Sequence, residues 1–172
     1  NENRVVKEGV IEDKEAFLAA WKSGKAFSDF WYVEDVINTP NVSERLDALE
    51  GYLAPNTYEV YISGTAEEIL KKLIAQTEAS FPSSYFDRAD ELGLTMDQVL
   101  TLASLIEKEA KANDFAKVSA VFHTRLAENM TLGSDVTVKY VLRSARMALT
   151  SEELSVSSPY HTYEHKGLPL GP

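Results

Sequence analysis

Apolar residues recur at helical spacing along most of the chain, interrupted by short turn-rich stretches. Asp13 precedes a run that places Phe17, Leu18 and Trp21 on one side, and Gly24 follows it, so a short amphipathic helix is expected over residues 14–23. The next segment, with Phe27, Phe30, Trp31, Tyr32 and Val33, is aromatic-rich without a clean period and specifies neither helix nor strand. Asn38-Thr39-Pro40-Asn41 reads as a turn. Residues 57–62 alternate and are rich in β-branched and aromatic types, which predicts a strand after the Ala54-Pro55-Asn56 turn. Thr65 and Glu68 form a capping-box pair for a helix reaching about Gln76, and Pro82 opens another that ends near Gly93.

Thr95 and Gln98 make a second such pair, ahead of apolar or small residues from Val99 to Ala110 at helical spacing. Asp114 is placed to start a helix bearing Phe115, Val118, Val121, Phe122 and Leu126. Ser134 or Asp135 begins a short one through Val141, and Thr150 with Glu153 suggests another. Together these elements predict a helix-rich α+β fold.

One charged residue interrupts the pattern. Set at about 100° per residue, Leu100 and Met96 lie about 20° from Glu107, Ala103 about 40° and Ala110 about 60°, so Glu107 is expected inside an apolar stripe. Glu109 falls about 160° away, where a solvated carboxylate is expected. A carboxyl in apolar surroundings keeps its proton to higher pH, as a proton donor in glycoside cleavage requires. Spacing alone favours a structural glutamate paired with Lys108, Lys111 or Arg125, since ion-pair networks also place acids near cores.

Length and composition narrow the classes. A chain of 172 residues, 44% hydrophobic, suffices for one principal domain and a small subdomain. A formal charge of −10 argues against nucleic acid or an anionic membrane surface as the main partner. The absence of cysteine excludes disulfides, a thiol nucleophile and thiolate zinc sites. Of His123, His161 and His165, only His161 and His165 have the i, i+4 spacing of a helical zinc pair, and they fall in an expected loop, so no metal site is expected. Neither a phosphate-binding glycine loop nor a G-x-S-x-G elbow is present.

The run from Leu102 to Ala110, LASLIEKEA, resembles the catalytic-helix motif of the endolytic murein transglycosylases of the MltG, or YceG-like, family. Four further blocks follow the same family in the same order. Residues 49–59, LEGYLAPNTYE, resemble LEGYLFPDTYE, with Ala54 for Phe and Asn56 for Asp. Residues 117–126, KVSAVFHTRL, are similar to KVAAVFLNRL, and residues 134–140, SDVTVKY, to SDPTVxY. Residues 158–163, SPYHTY, and 167–172, GLPLGP, are similar to SPYNTY and GLPPGP.

The resemblance covers residues 49–172 and implies a YceG-like catalytic domain, with residues 1–48 as a connector and a partial LysM-like subdomain. It also implies an N-terminal membrane anchor and further residues after the last motif, so the chain is expected to be a piece of a longer protein. The implied reaction is non-hydrolytic cleavage between N-acetylmuramic acid and N-acetylglucosamine within peptidoglycan strands, yielding 1,6-anhydro ends. Glu107 is the implied acid/base, without metal or organic cofactor. Arg125, Ser134, Asp135, Thr137, Tyr140, Tyr160, His161 and Tyr163 are the implied sugar-binding residues. Capping, packing or ion pairing would equally account for each of them taken singly. The implied location is extracytoplasmic, beside the wall-synthesis machinery.

The chain departs from the family pattern at Thr124 (Asn), Gly133 (Gln), Val136 (Pro), His161 (Asn) and Leu170 (Pro). Loss of an amide at position 133 would remove a substrate contact typically contributing about 0.5–1.5 kcal/mol. These departures leave a second reading open, a non-catalytic glycan-binding module of the same fold. A pyridoxal-phosphate lyase, the activity suggested by the aminodeoxychorismate-lyase label often given to such sequences, finds no lysine context here to support it.

Overall fold

The structure is a computed structural model that describes residues 13–39, 41–61 and 64–172, with the side chains of Trp31, Tyr32 and Asp35 left aside. The chain divides into two compact units, one through Met96 and the other from Asp97 onward. The boundary read from the sequence at 48/49 falls inside the first unit. There the Arg45 guanidinium donates to the Tyr52 hydroxyl at 3.2 Å, tying the two sides of that boundary together.

The first unit is built on helices. Helix α1 (Lys14–Ser23) starts where Asp13 accepts the Ala16 N–H at 2.9 Å, and ends at Gly24, whose φ of 61° allows its N–H to bond Ala20. Phe17 and Trp21, one turn apart, stack at 6.3 Å and are buried. The aromatic segment left open by its pattern forms α2 (Trp31–Asn38), which buries Val33 and Val36. Helix α3 (Ala66–Ala79) opens with the expected reciprocal box: the Thr65 N–H bonds Glu68 Oε2 at 2.8 Å and the Glu68 N–H bonds Thr65 Oγ1 at 3.2 Å. It runs a turn past Gln76, packs against α1, and buries Ile69, Leu70 and Ile74. Helix α4 (Ser83–Leu92) follows Pro82 and ends at left-handed Gly93, as expected.

No strand forms over the described part of residues 57–62; Ile62 lies outside the described residues. The segment is held by side chains in place of a ladder. The Tyr58 hydroxyl donates to the Ala54 carbonyl at 2.6 Å, and Lys72 on α3 donates to the Glu59 carbonyl. Alternation marks a pleated, half-buried surface, but a strand also needs a partner edge, and none among the described residues pairs with it. Just upstream, the LEGYLAP block is pinned by Thr77, whose hydroxyl accepts the Ala54 N–H at 2.9 Å.

The second unit holds α5 (Met96–Glu109), α6 (Phe115–Ala127) and α7 (Asp135–Val141). Its core is Leu102 and Leu105 from α5, Phe122 from α6 and Leu132, with Ile106, Val118, Leu126 and Leu168 packed around them. Thr131 and Lys166 make an isolated antiparallel bridge, which is the β pairing among the described residues. Thr150 and Glu153 do form a reciprocal cap, at 2.8 and 3.2 Å, but it opens only a 3₁₀ turn, Glu153–Ser155. The described fold is therefore helix-rich, and the strand component expected of an α+β fold is reduced to one bridge. No helix among the described residues is long and apolar enough to cross a membrane.

Candidate active site

The buried face of α5 is set by bulk. Thr101, Leu102 and Leu105 are buried and Ile106 packs beside them, whereas Ala103 and Glu107 are exposed. The stripe expected around Glu107 is thus displaced. Of the residues that define the expected stripe, Met96 is buried at the start of the helix and Leu100 is half-buried, but further along Ala103 carries little surface to bury, and Leu102 and Leu105 carry the packing. At about 100° per residue Glu109, not Glu107, lies over the core stripe, about 20° from Leu102.

Glu109 ends the helix just beyond that core, and its carboxylate is anchored. The Ser134 hydroxyl donates to Glu109 Oε1 at 2.5 Å, the short distance expected of a hydroxyl on a carboxylate. Glu109 lines an open groove of about 530 Å³ with Lys111, Lys117, Arg125, Gly133 and Ser134. Lys117 pairs with Asp114 at 2.9 Å on its rim. Arg125 donates to the Leu132 carbonyl, bracing the turn that leads to Ser134.

That turn explains one departure from the family pattern. Gly133 has φ +59°, and a Cβ there would stand 3.3 Å from Arg125 Nη1 and 3.5 Å from the Tyr163 ring. A side chain would have to adopt a left-handed backbone and press on Arg125, a conformation in which glycine carries no steric cost.

Ser134 is 2% exposed and caps α7 by accepting the Val136 N–H at 3.3 Å. Thr137 and Thr162, also buried, close a network around it. The Ser134 N–H donates to Thr162 Oγ1 at 2.9 Å, the Thr137 hydroxyl donates to the Ser134 carbonyl at 3.0 Å, and the two threonine hydroxyls meet at 3.0 Å. Sequence reasoning missed Thr162. Its signal was its place inside the SPYHTY block, between two residues that were chosen.

Asp135 accepts the Tyr163 hydroxyl at 2.7 Å and lies 3.9 Å from Lys139. This hydrogen bond, then partial burial and the negative charges of Asp135 and Glu109, push the Tyr163 phenol up to about 12 against a weaker opposing pull from Arg125. The Tyr163 ring, 46% exposed, offers a flat face near Gly133.

Glu107 projects about 160° from Glu109 and lines a different groove, of about 480 Å³. Lys108, Thr137, Lys139, Tyr140, Arg143 and Tyr160 border it. The Tyr140 and Tyr160 rings meet at 5.3 Å, and the Arg143 guanidinium sits 4.9 Å over Tyr140. Of the residues named from the sequence, Arg125 and Ser134 line the groove with Glu109, Thr137, Tyr140 and Tyr160 line the groove with Glu107, and Asp135 and Tyr163 are bonded to each other.

His161 joins neither. It is 2% exposed, and its Nε2 is 3.0 Å from the Leu154 carbonyl, which can only accept, so Nε2 carries the proton. Its Nδ1 is buried without a hydrogen-bond partner among the described residues. Among the described residues no cluster of three or more potential ligands could hold a metal ion.

The YceG-like family profile matches residues 3–172. The chain belongs to the YceG-like family. It is 36% identical, over its whole length, to the endolytic murein transglycosylase of Bacillus subtilis (strain 168), of which it covers 47%. It is 31% identical over 92% of its length to the endolytic murein transglycosylase of Streptococcus pneumoniae (strain D39), of which it covers 30%. The crystal structure of a yceG-like protein from Listeria monocytogenes superposes with a TM-score of 0.82 at 30% identity, covering 99% of this chain and 57% of that one. The chain thus spans about half, or less, of the length of these curated relatives.

Proposed function

We propose that this chain is catalytic machinery of an endolytic peptidoglycan lytic transglycosylase, with Glu109 as the group that moves the proton. The observation that carries this reading is the 2.5 Å bond from buried Ser134 to Glu109 Oε1 beside an open groove. It fixes one carboxylate oxygen and leaves the other for the reaction. Glu109 protonates the glycosidic oxygen between N-acetylmuramic acid and N-acetylglucosamine as the C1–O bond breaks. The muramyl C6 hydroxyl then attacks C1, returns its proton to the same carboxylate, and closes a 1,6-anhydro ring. The nucleophile belongs to the substrate, so a single carboxylate suffices where a hydrolase needs two. Arg125, which lines the same groove, holds sugar hydroxyl or amide groups, and the half-exposed Tyr163 ring, whose hydroxyl bonds Asp135, supplies a stacking face.

A second assignment keeps the chemistry and gives the proton to Glu107, the residue marked by the sequence resemblance. The observation favouring it is the Tyr140–Tyr160 pair in its groove, a surface suited to pyranose rings. The substrate is peptidoglycan in either case, and the setting is the outer face of the cytoplasmic membrane, with the wall-synthesis machinery as neighbour. The N-terminal stretch fits the end of a LysM-like subdomain on the resemblance of residues 1–48.

Mass spectrometry of glycan strands incubated with wild type, Glu109→Gln and Glu107→Gln separates these readings. Wild type should yield anhydromuramyl ends, Glu109→Gln should lose about 10²- to 10⁴-fold in rate, and Glu107→Gln should stay active. The reverse pattern transfers the role to Glu107. Water-added reducing ends would mean a hydrolase, and intact strands bound by wild type would mean a glycan-binding module.

A further inference from the structure

We propose that Thr162 is a positioning residue for Glu109, acting through Ser134; this rests on the reading of Glu109 as the proton-transfer group. Glu109 is the last residue of α5, and its exposed side chain would otherwise sample several rotamers. What restrains it is one bond from Ser134, so the direction of the carboxylate depends on where the Ser134 backbone stands.

The polar contacts of Thr162 converge on that backbone. Its Oγ1 accepts the Ser134 N–H at 2.9 Å and lies 3.2 Å from the Ser134 carbonyl. Its carbonyl accepts the Gly133 N–H at 2.8 Å, and its own N–H reaches Thr137 Oγ1 at 3.4 Å. The protons can be apportioned without conflict. Thr137 donates to the Ser134 carbonyl, leaving Thr162 free to donate to Thr137 Oγ1 at 3.0 Å while accepting from Ser134.

Thr162 is 2% exposed, so it does not meet a glycan directly. It clamps the 133–134 turn from a position 28 residues away in sequence. A catalytic group displaced by about 1 Å can lose about 100-fold in rate, so release of this clamp should be read in turnover.

The test is steady-state cleavage by the intact protein carrying Thr162→Val, Thr162→Ser, Ser134→Ala, or Thr162→Val with Ser134→Ala, each with its melting temperature. Valine keeps the shape and removes the hydroxyl. Thr162→Val should lower kcat about 10-fold or more with KM little changed, and Thr162→Ser should restore it. In the Ser134→Ala background, Thr162→Val should cost no further kcat, because both act on one bond. Equal, independent losses in the double variant, or a lowered melting temperature with kcat unchanged at temperatures where the protein is folded, would overturn the proposal. Should Thr162→Val fail to fold, Thr162→Ala carries the test and must show the kcat loss at unchanged KM, with no further loss in the Ser134→Ala background. Retained activity in Glu109→Gln is a separate result that removes the underlying assignment.

Discussion

Tyr163 shows how one hydrogen bond sets the behaviour of a partly exposed side chain. Its phenol is held up at about 12 chiefly because it donates to the Asp135 carboxylate, a bond lost when the phenol ionises. Since the folded value lies above the ordinary 10.0, the stabilisation is present below about pH 10 and is lost as pH rises towards 12. Phenolate absorbance should therefore show a late-titrating tyrosine that Tyr163→Phe removes, and the variant should lose the part of alkaline unfolding linked to it. A phenol titrating with the exposed tyrosines would contradict the Asp135 bond. The sequence pointed to Tyr163 and Asp135 separately, because both fall in motif blocks, but their pairing across 28 residues is a product of the folded turn. For His161 too the partner comes from the fold: its Nε2 meets the Leu154 carbonyl, while Nδ1 is buried without a hydrogen-bond partner among the described residues.

At the scale of elements, what depends on neighbours in sequence was legible and what depends on distant partners was not. The bounds of α1 follow from Asp13 and Gly24, and α3 from the Thr65–Glu68 box, because caps act within one turn. Thr65→Ala should accordingly cost about 1 kcal/mol and Thr65→Ser little, measured by denaturant unfolding. Equal stability of the two would mean that packing of α3 against α1 alone fixes that helix end. The segment at 57–61 lacked the missing half of its information, a partner edge, and α5 was legible in extent but rotated in its buried face. That rotation bears on function, since it sets Glu109 in place of Glu107 over the packed stripe, with both side chains exposed. Alanine fits either side of a helix, and with Met96 and Leu100 on one side and Leu102, Leu105 and Ile106 on the other, only the folded core shows which face packs in its second half.

For the molecule as a whole, the family blocks in sequence identified the family without locating the division between the two units. Those blocks begin at residue 49 and run through the boundary at Met96 and Asp97, because they record shared ancestry and not compactness. Each unit buries apolar side chains of its own: Phe17, Trp21, Leu49, Leu70 and Ile74 in the first, and Leu102, Leu105, Phe122 and Leu132 in the second. Leu132 is fully enclosed and adjoins the turn that carries Gly133 and Ser134. Leu132→Ala should therefore remove about 2–5 kcal/mol, through lost burial and the cavity left behind. If the second unit opens as its own cooperative element, native-state hydrogen exchange in this variant should accelerate across α5, α6 and α7 while α1 and α3 keep their protection. Uniform acceleration throughout the chain would mean that the two cores unfold as one, in which case a weakened glutamate site could arise from a substitution in either unit. Selective acceleration would place the stability of the Ser134–Glu109 bond in the core directly beneath it, around Leu102 and Leu132.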